Sequence, residues 1–180
     1  SSDVCSSDLA KDITHADGGT LYRVTEERTL KFEIVRNDTL RLAMGGTTGI
    51  AIPFPPIQLY HADGTPETRM VAAYALHRGL SANIDDAYSA PGFDFSGTRA
   101  FDARTGYRSQ SFLTVPMKNH EGEIIGVLQL INALDARGKV VPFSEEQRGL
   151  PNRSRRRPRL CSPTGCSSTV SRSCSSHSSA

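Results

Sequence analysis

The sequence is poor in cysteine, and its few cysteines are not arranged for a structural role. Only four occur among 180 residues, and none lies between Ala10 and Leu160. Cys161, Cys166 and Cys174 stand near the end of the chain but form neither a C-x-x-C pair nor the histidine spacing of a zinc site. We therefore expect neither disulfides nor a metal site, and a folded part that is free of thiols.

Long hydrophobic runs are also missing. No apolar run approaches the ~20 residues that a bilayer-spanning helix needs, and the first residues carry neither the basic start nor the apolar stretch of a secretory signal. This predicts a cytoplasmic location and no membrane partner. The length, with 37% hydrophobic residues, suits one ordinary globular domain.

Both ends of the chain differ in character from the middle. Residues 1–9 have no periodic apolar pattern and resemble the translated read-through of a sequencing adaptor, which predicts a non-native leader. Residues 151–180 hold six arginines, ten serines and no acidic residue. A stretch so poor in large apolar residues cannot offset its chain entropy, so 149–180 is expected to be a disordered tail. The domain is thus expected over 10–148.

The tail admits two interpretations. Its arginines favour a basic arm for nucleic acid, whereas a frame-shifted reading of an amphipathic helix accounts better for the abrupt change in composition. We prefer the second and expect no nucleic-acid partner. Without the tail, the net charge of +2 becomes negative, because 15 basic residues then face 19 acidic ones.

Period-two patterns predict a hairpin early in the domain. Apolar and charged residues alternate in 30–34, an apolar stretch precedes them in 21–24, and a polar turn lies between. The apolar residues Leu30, Phe32 and Ile34 are expected on one face. Gly45, Gly46, Gly49 and the prolines at 53, 55 and 56 then predict a long irregular connection. Because no Walker-type lysine follows, these glycines favour a turn with positive φ over a phosphate site.

A helix is predicted next, followed by a second pair of strands. Thr65 is expected to cap it, Pro66 to occupy its first position and Gly79 to end it. His77, which has no acidic or cysteine neighbour, is interpreted as an ordinary half-buried histidine. Residues 111–117 and 123–132 predict two long strands, the second central and covered on both faces.

A last helix is predicted from Phe143, with Ser144 as its N-cap. The order strand, strand, helix, irregular segment, strand, strand, helix predicts an α+β fold. We expect a central antiparallel sheet of about five or six strands flanked by helices, as in GAF-like and PAS-like sensor domains.

Four strings in this order resemble the GAF domain, a small-molecule sensor module of signalling proteins: NIDDAY (83–88), FDARTGYRSQS (101–111), VPMKN (115–119) and GVLQLIN (126–132). The strings AMGGTTG (43–49) and GFDFSGT (92–98) are most similar to the GAF domain that precedes an HD-GYP-type phosphohydrolase domain. No His-Asp pair occurs in the sequence, so that catalytic half is expected to lie outside it.

One departure concerns the phosphodiesterase-type GAF signature, in which an Asn-Lys pair is followed by Phe and Asp-Glu. Here Asn132 precedes Ala133, and Phe143 precedes Ser144 and Glu145. The Lys-to-Asp ion pair of that signature cannot form, although one surface ion pair is usually worth no more than about 1 kcal/mol.

The resemblance implies a pocket on one face of the sheet, roofed by residues 80–110. Asp86 is the predicted polar anchor for a ligand. Stacking on a planar ligand is expected from Tyr88, Phe93, Phe95 and Tyr107, and contact with a phosphate or carboxylate from Thr105 or Arg108. Taken singly, each residue has a structural alternative: Asp86 capping a turn, the aromatics in the core, Arg108 in solvent. The cluster as a whole favours a pocket.

Enzyme activity is not expected of this chain. A carboxylate pair of Asp86 and Asp102 has neither a nucleophile nor a metal cage beside it, and the GAF-type methionine sulfoxide reductases need cysteines in the domain. No catalytic residue and no cofactor is therefore predicted.

Two functions remain open at this point. The first is a bacterial sensor module that binds a small molecule, such as a cyclic nucleotide, and controls an HD-GYP-type cyclic-dinucleotide phosphodiesterase. The second is a structural dimerisation module without a ligand. In the intact protein a homodimer through the terminal helices is expected.

Overall fold

The computed structural model describes residues 14–148, and its largest element is one antiparallel sheet. The strands of this range are β1 (Ala16–Val24), β2 (Thr29–Asn37), β3 (Leu42–Gly45), β4 (Ile57–Gln58), β5 (Ala82–Ile84), β6 (Phe112–Lys118), β7 (Ile124–Leu134) and β8 (Val140–Val141). The helices of this range are α1 (Val71–Arg78), α2 (Ser96–Thr105) and α3 (Glu145–Arg148).

Six strands form the body of the sheet in the order β3-β2-β1-β7-β6-β5, while β4 pairs with β2 and β8 with β7. Every pairing is antiparallel. The predicted α+β class and antiparallel sheet are therefore confirmed. The central place of β7 is confirmed as well, because it lies between β1 and β6.

The first hairpin forms where it was predicted, but one side chain faces the other way. Val24 pairs with Leu30 and Tyr22 with Phe32, whereas Leu21 pairs with Ile34, so Glu33 is the extra residue of a β-bulge. An extra residue shifts the alternation by one position. Phe32 consequently packs with Tyr22 and Ile34 with Leu21, in separate clusters. The expectation of one apolar face for 30–34 is wrong at Ile34.

The glycine-rich connection contains more regular structure than expected. Gly45, Gly46 and Gly49 all have positive φ angles, as the turn interpretation required. However, Gly45 also ends strand β3, a turn of 3-10 helix follows at Gly46–Thr48, and Ile57–Gln58 forms β4. The two short strands have no signal of their own in the sequence, because they form by pairing with β2.

Helix α1 begins five residues later than predicted at Pro66. Pro66 instead pairs with Tyr60 in an isolated bridge, and the Thr65 hydroxyl donates to Asp63 Oδ1 at 2.6 Å. Because that hydroxyl is used within the turn, it does not cap the helix. The predicted end is confirmed: Gly79 is left-handed at φ 63° and its N–H donates to Leu76 O.

The capping interaction predicted for the last helix is present. Ser144 Oγ accepts from the Gln147 N–H at 3.4 Å, and Gln147 Oε1 accepts from the Ser144 N–H at 2.7 Å. This reciprocal pair is a capping box. Gln147 Nε2 also donates to Thr14 O, which ties α3 to the start of β1.

The two faces of the sheet are packed differently. One face buries a continuous aliphatic cluster with Phe143 at its edge. The other carries α1, which packs on β6 and β7 through four buried residues, Val71, Ala72, Ala73 and Ala75. Beside α1, on that second face, the packing leaves a cavity.

The predictions for the leader (1–9) and the tail (149–180) fall outside the described residues, as do residues 10–13 at the start of the predicted domain. No helix within the described range is long and apolar enough to span a membrane.

Candidate functional site

A cavity of about 540 Å³ lies between the sheet and the segments that cover it. We call it the sheet cavity. Its floor is formed by β1, β2 and β7, its side by the start of α1, and its cover by α2 together with residues 54–58. A volume in this range suits a metabolite or a nucleotide rather than a few waters.

The floor combines aromatic and polar side chains. Tyr22 OH donates to Gln129 Oε1 at 3.0 Å, and Gln129 Nε2 donates to Thr114 Oγ1 at 3.2 Å. Thr20 lies directly opposite Gln129 in the β1–β7 pairing and lines the cavity with it. Burial raises the pKa of Tyr22, so this hydroxyl remains protonated and keeps its role as donor.

A row of aromatic rings leads from the floor to the cover. Ring centroids are 4.8 Å apart between Tyr22 and Phe32, 5.4 Å between Phe32 and Phe54, and 6.2 Å between Phe54 and Phe101. The last pair joins the proline segment to α2 in an edge-on contact. Phe54 and Phe101 thus close one side of the cavity without a covalent or polar link.

Two carboxylates that line the cavity, Glu67 and Asp94, accept hydrogen bonds from nearby backbone N–H groups. Glu67 accepts from the N–H groups of Arg69 and Met70, and Asp94 accepts from Ser96 N–H. The hydrogen bonds from Ser96 lower the pKa of Asp94, which is therefore anionic at neutral pH.

Two arginines of the lining lack such partners. Arg36 Nη1 donates only to backbone carbonyls, those of Val35 and Met44. Arg104 is exposed on α2, and within residues 14–148 neither arginine lies in salt-bridge range of a carboxylate. Arg104, an exposed cation of the lining, favours an anionic group on whatever enters.

Two of the predicted ligand contacts, Phe95 and Tyr107, line the sheet cavity. Phe95 is buried and packs on Phe112 of β6, with ring centroids 5.4 Å apart. Tyr107 OH donates to the buried Asp17 carboxylate and accepts from Asn132 Nδ2. Burial, together with the Asp17 hydrogen bond, raises the pKa of Tyr107.

Five predicted contacts lie outside the lining of this cavity: Asp86, Tyr88, Phe93, Thr105 and Arg108. Asp86 Oδ1 accepts from Tyr88 N–H at 2.9 Å, the turn-capping role that was the alternative for it. Phe93 packs on Tyr74 of α1, and Thr105 Oγ1 donates to Phe101 O within α2. Arg108 lies 4.2 Å from the centre of the Tyr88 ring.

The two outlying residues Tyr88 and Arg108 belong to a cluster that holds the cover in place. Tyr88 OH donates to Asp102 Oδ2 at 2.7 Å, and this bond raises the pKa of Tyr88. Asp102 also accepts from Ser109 N–H and Ser109 Oγ, both at 2.8 Å. Asp102 is only 3% exposed, so it anchors the end of α2 rather than facing solvent.

Asn132 of the central strand β7 holds the segment after α2 through hydrogen bonds. Its Oδ1 accepts from the N–H groups of Gln110 and Ser111, and its Nδ2 donates to Arg108 O as well as to Tyr107 OH. Asn132, the asparagine of the phosphodiesterase-type signature, therefore makes hydrogen bonds through both Oδ1 and Nδ2, although the ion pair of that signature is missing.

Several lining residues were not anticipated, among them Thr20, Phe54, Phe101, Arg104 and Gln129. Phe101 and Arg104 belong to the string 101–111 that carries the family resemblance, so the sequence pointed to the segment in which they lie. Thr20, Phe54 and Gln129 gave none, since only the sheet register and the path of the proline segment bring them together. Within the described residues, no group of three His, Cys, Asp or Glu side chains is placed to hold a metal ion.

Comparisons with known proteins agree with this architecture. The sequence profile described as GAF domain matches residues 7–151. A cGMP-specific 3′,5′-cyclic phosphodiesterase of Drosophila sechellia is 31% identical over 128 residues, covering 67% of this chain and 9% of that protein. Dual 3′,5′-cyclic-AMP and -GMP phosphodiesterase 11A of Takifugu rubripes is 39% identical over 67 residues, 37% of this chain and 7% of that protein.

The chain thus spans less than a tenth of the length of these two relatives. Among solved structures, a red/green cyanobacteriochrome in its red-light-absorbing state superposes with a TM-score of 0.50 at 13% identity. The superposition covers 83% of this chain and 84% of that chain. At this level of identity the likeness concerns the fold alone.

Proposed function

Because the chain belongs to the GAF domain family, we propose that its sheet cavity binds a small molecule and that binding regulates an output domain outside this chain. The observation that carries this proposal is the cavity itself. About 540 Å³ of space remains between the floor and the cover, lined mainly by apolar and aromatic groups with a few polar ones. That combination is typical of sites for small ligands.

The lining favours a ligand with a flat ring and a negative charge. Phe32, Phe54 and Phe101 offer ring faces and edges along one side, and Arg104 offers positive charge in the lining. A cyclic nucleotide has both features, and the two relatives described above are cyclic nucleotide phosphodiesterases by name. We therefore propose a cyclic nucleotide as the ligand class.

From the residues predicted as contacts, we assign Phe95 and Tyr107 to the ligand. We assign Tyr88 and Arg108 to the support of the cover, through Asp102. Asp86 shapes the turn before the cover by accepting from Tyr88 N–H. A direct role of Asp86 as ligand anchor has no support from its surroundings.

The output proposed for the parent protein is an HD-GYP-type cyclic-dinucleotide phosphodiesterase in a bacterial signalling protein, in homodimeric form. Its support is the similarity of residues 43–49 and 92–98 to GAF domains that precede such a domain. The alternative is a dimerisation module without a ligand. The open sheet cavity favours the sensor, since a purely structural module has no use for unfilled space, which costs packing energy.

Thermal unfolding of the full chain with added nucleotides tests the proposal. The probes are cGMP, cAMP, cyclic di-GMP and, for comparison, linear GMP. A ligand at a hundred times its dissociation constant adds about 2.7 kcal/mol to the free energy of unfolding, which raises the melting temperature by several degrees. No shift with any of these nucleotides would contradict a nucleotide sensor and favour the structural alternative.

A pair of arginine variants then locates the binding site. Arg104→Gln removes a rim cation of the sheet cavity, whereas Arg108→Gln removes a neighbouring exposed arginine outside its lining. We expect the first to weaken nucleotide affinity about tenfold, as for a lost charge-assisted hydrogen bond, and the second to leave it nearly unchanged. The reverse result would move the ligand to the surface around Tyr88.

A further inference from the structure

Thr20 is a buried polar residue whose hydroxyl makes no hydrogen bond with the part of the chain that the structure describes. The residue is 6% exposed and lines the floor of the sheet cavity. Among the described residues its hydroxyl makes no hydrogen bond, although nearby polar groups such as Gln129 and Tyr22 are bonded to each other. Thr20 Oγ1 is not among the fully enclosed unpaired side-chain atoms of the described residues, so this hydroxyl is open to the cavity and can pair with a group that enters it.

A second unsatisfied donor lies beside it. Gln129 faces Thr20 directly across the β1–β7 pairing, and such neighbours hold their Cβ atoms about 5 Å apart. Gln129 Oε1 is occupied by Tyr22 OH, and one N–H of Nε2 is occupied by Thr114 Oγ1. Within the described chain, the other N–H of Nε2 has no acceptor. These bonds hold the amide in one orientation.

We propose that Thr20 Oγ1 and Gln129 Nε2 together recognise the polar edge of a planar ring bound in the sheet cavity. The Gln129 N–H donates to a ring acceptor, a carbonyl oxygen or an unprotonated ring nitrogen. The Thr20 hydroxyl accepts from an adjacent N–H of the same ring. An edge with an acceptor next to a donor occurs in lactams and in nucleobases.

This inference rests on the proposed function and names the part of the ligand that is read at the floor. The aromatic row from Tyr22 to Phe101 contacts the ring plane, and Arg104 of α2 lies in the lining. The floor pair is therefore placed to select the ring, while Arg104 selects the charged group. Neither Thr20 nor Gln129 is needed to hold the cover, which is tied by Asp102 and Asn132.

The test uses two substitutions at position 20 in the full chain. Thr20→Val keeps the shape of the side chain and removes the hydroxyl, and Thr20→Ser keeps the hydroxyl. Calorimetric titration with the nucleotide that stabilises the wild type is expected to show affinity about five- to tenfold weaker for Thr20→Val, and nearly unchanged for Thr20→Ser. Equal affinity for the wild type and Thr20→Val would overturn the inference while leaving the proposed function intact.

A measurement without ligand separates recognition from a structural role. If the hydroxyl has no protein partner, Thr20→Val unfolds in urea at the same or a higher concentration than the wild type. A clear loss of stability in Thr20→Val that Thr20→Ser avoids would assign the hydroxyl to the fold and overturn the inference. Absence of binding by all four nucleotides to the wild type would instead overturn the proposed nucleotide function on which it rests.

Discussion

Individual polar residues have very different roles around the cavity, and Tyr107 links the buried residues Asp17 and Asn132. Its hydroxyl donates to Asp17 and accepts from Asn132. Asp17 is 5% exposed, and its other side-chain hydrogen bonds within residues 14–148 come from the N–H and hydroxyl of Thr39. A buried carboxylate oxygen that loses its hydrogen-bond donor is unfavourable, so Tyr107 is needed for stability as well as for the cavity wall.

Tyr107→Phe therefore tests the buried polar network. The substitution leaves the ring in place but deprives Asp17 of a donor, and we expect a loss of about 1–3 kcal/mol in the free energy of unfolding. Tyr60→Phe is the matched control: the Tyr60 ring is 39% exposed, and its variant should remain within about 0.5 kcal/mol of wild type. Urea denaturation at neutral pH measures both, and equal stability of the two variants would contradict the role given to Tyr107.

The raised pKa values of Tyr22 and Tyr107 predict a weakness at high pH. A tyrosine in an unfolded chain ionises near pH 10, and both folded values lie above that. The stability that these hydroxyls contribute is therefore complete below about pH 10 and is lost as the pH rises toward the folded values.

We accordingly expect the urea midpoint to fall steeply above about pH 10. The fall should be smaller in a Tyr22→Phe and Tyr107→Phe double variant, which has no such hydroxyls to ionise. An unchanged slope in the double variant would assign the alkaline sensitivity to other groups.

At the scale of elements, strand β2 is closely approached by Gly45 of β3. The sequence of β2 alone does not reveal this contact. The β2 bulge at Glu33 lies against Gly45 of β3, where an added Cβ would be 2.1 Å from Glu33 O. The bulge turns Phe32 and Val35 toward the cavity and Ile34 toward the opposite core. A side chain at position 45 would thus disturb both faces of the sheet.

Gly45→Ala and Gly49→Ala compare a crowded glycine with an open one. Gly49 is left-handed at φ 70° and ψ 0°, and an added Cβ there meets nothing within 4 Å, whereas Gly45 at φ 74° and ψ −174° has a conformation open essentially to glycine alone. Gly49→Ala should lose about 1 kcal/mol from strain, and Gly45→Ala about 1–3 kcal/mol more from its overlap with Glu33 O and its greater strain. Chemical denaturation of the two variants decides the matter, and equal losses would mean that the bulge adjusts without cost.

At the scale of the whole molecule, the two faces of the sheet divide stability and function between them. Phe143 is 3% exposed and belongs to the aliphatic cluster of the closed face. Phe54 stands half-buried at the edge of the sheet cavity on the other face. The closed face should therefore supply most of the stability, and the open face the ligand contacts.

Phe143→Ala and Phe54→Ala test this division. We expect Phe143→Ala to lose about 3–5 kcal/mol of stability, as for a fully buried ring, and Phe54→Ala to lose much less. Nucleotide affinity should respond in the opposite way, falling in Phe54→Ala while a folded Phe143→Ala still binds. Similar stability losses in both variants would show that the cavity side also carries the fold.

Much of the fold could be read from the residues because its signals are local. The strand signals are the apolar residues of 111–117 and the near-continuous apolar run of 123–132. These signals, like Gly79 at the end of α1 and Ser144 at the start of α3, depend on neighbours within a few positions. The start of α1 was misplaced because Thr65 and Pro66 suit a helix start and a turn equally well. The bridge between Tyr60 and Pro66 decided for the turn.

The site could be located only in part. Residues 80–110 were expected to roof the pocket, and α2 within them does cover it, together with Phe95 and Tyr107. The string 83–88 predicts Asp86 as a ligand anchor, but the Asp86 carboxylate accepts a hydrogen bond from Tyr88 N–H within its own turn. Thr20 and Gln129 are far apart along the chain and unremarkable in pattern, so no sequence signal could pair them.

Sequence by itself determined the α+β class, the strand pairs and the family, because periodicity, turn residues and ordered strings are properties of neighbouring positions. Tertiary structure alone decided the register, the bulge at Glu33 and the polar pair on the cavity floor. The physical reason is that a floor built from β1, β2 and β7 joins residues more than a hundred positions apart, such as Thr20 and Gln129. Only pairing across the sheet places their side chains in the same cavity.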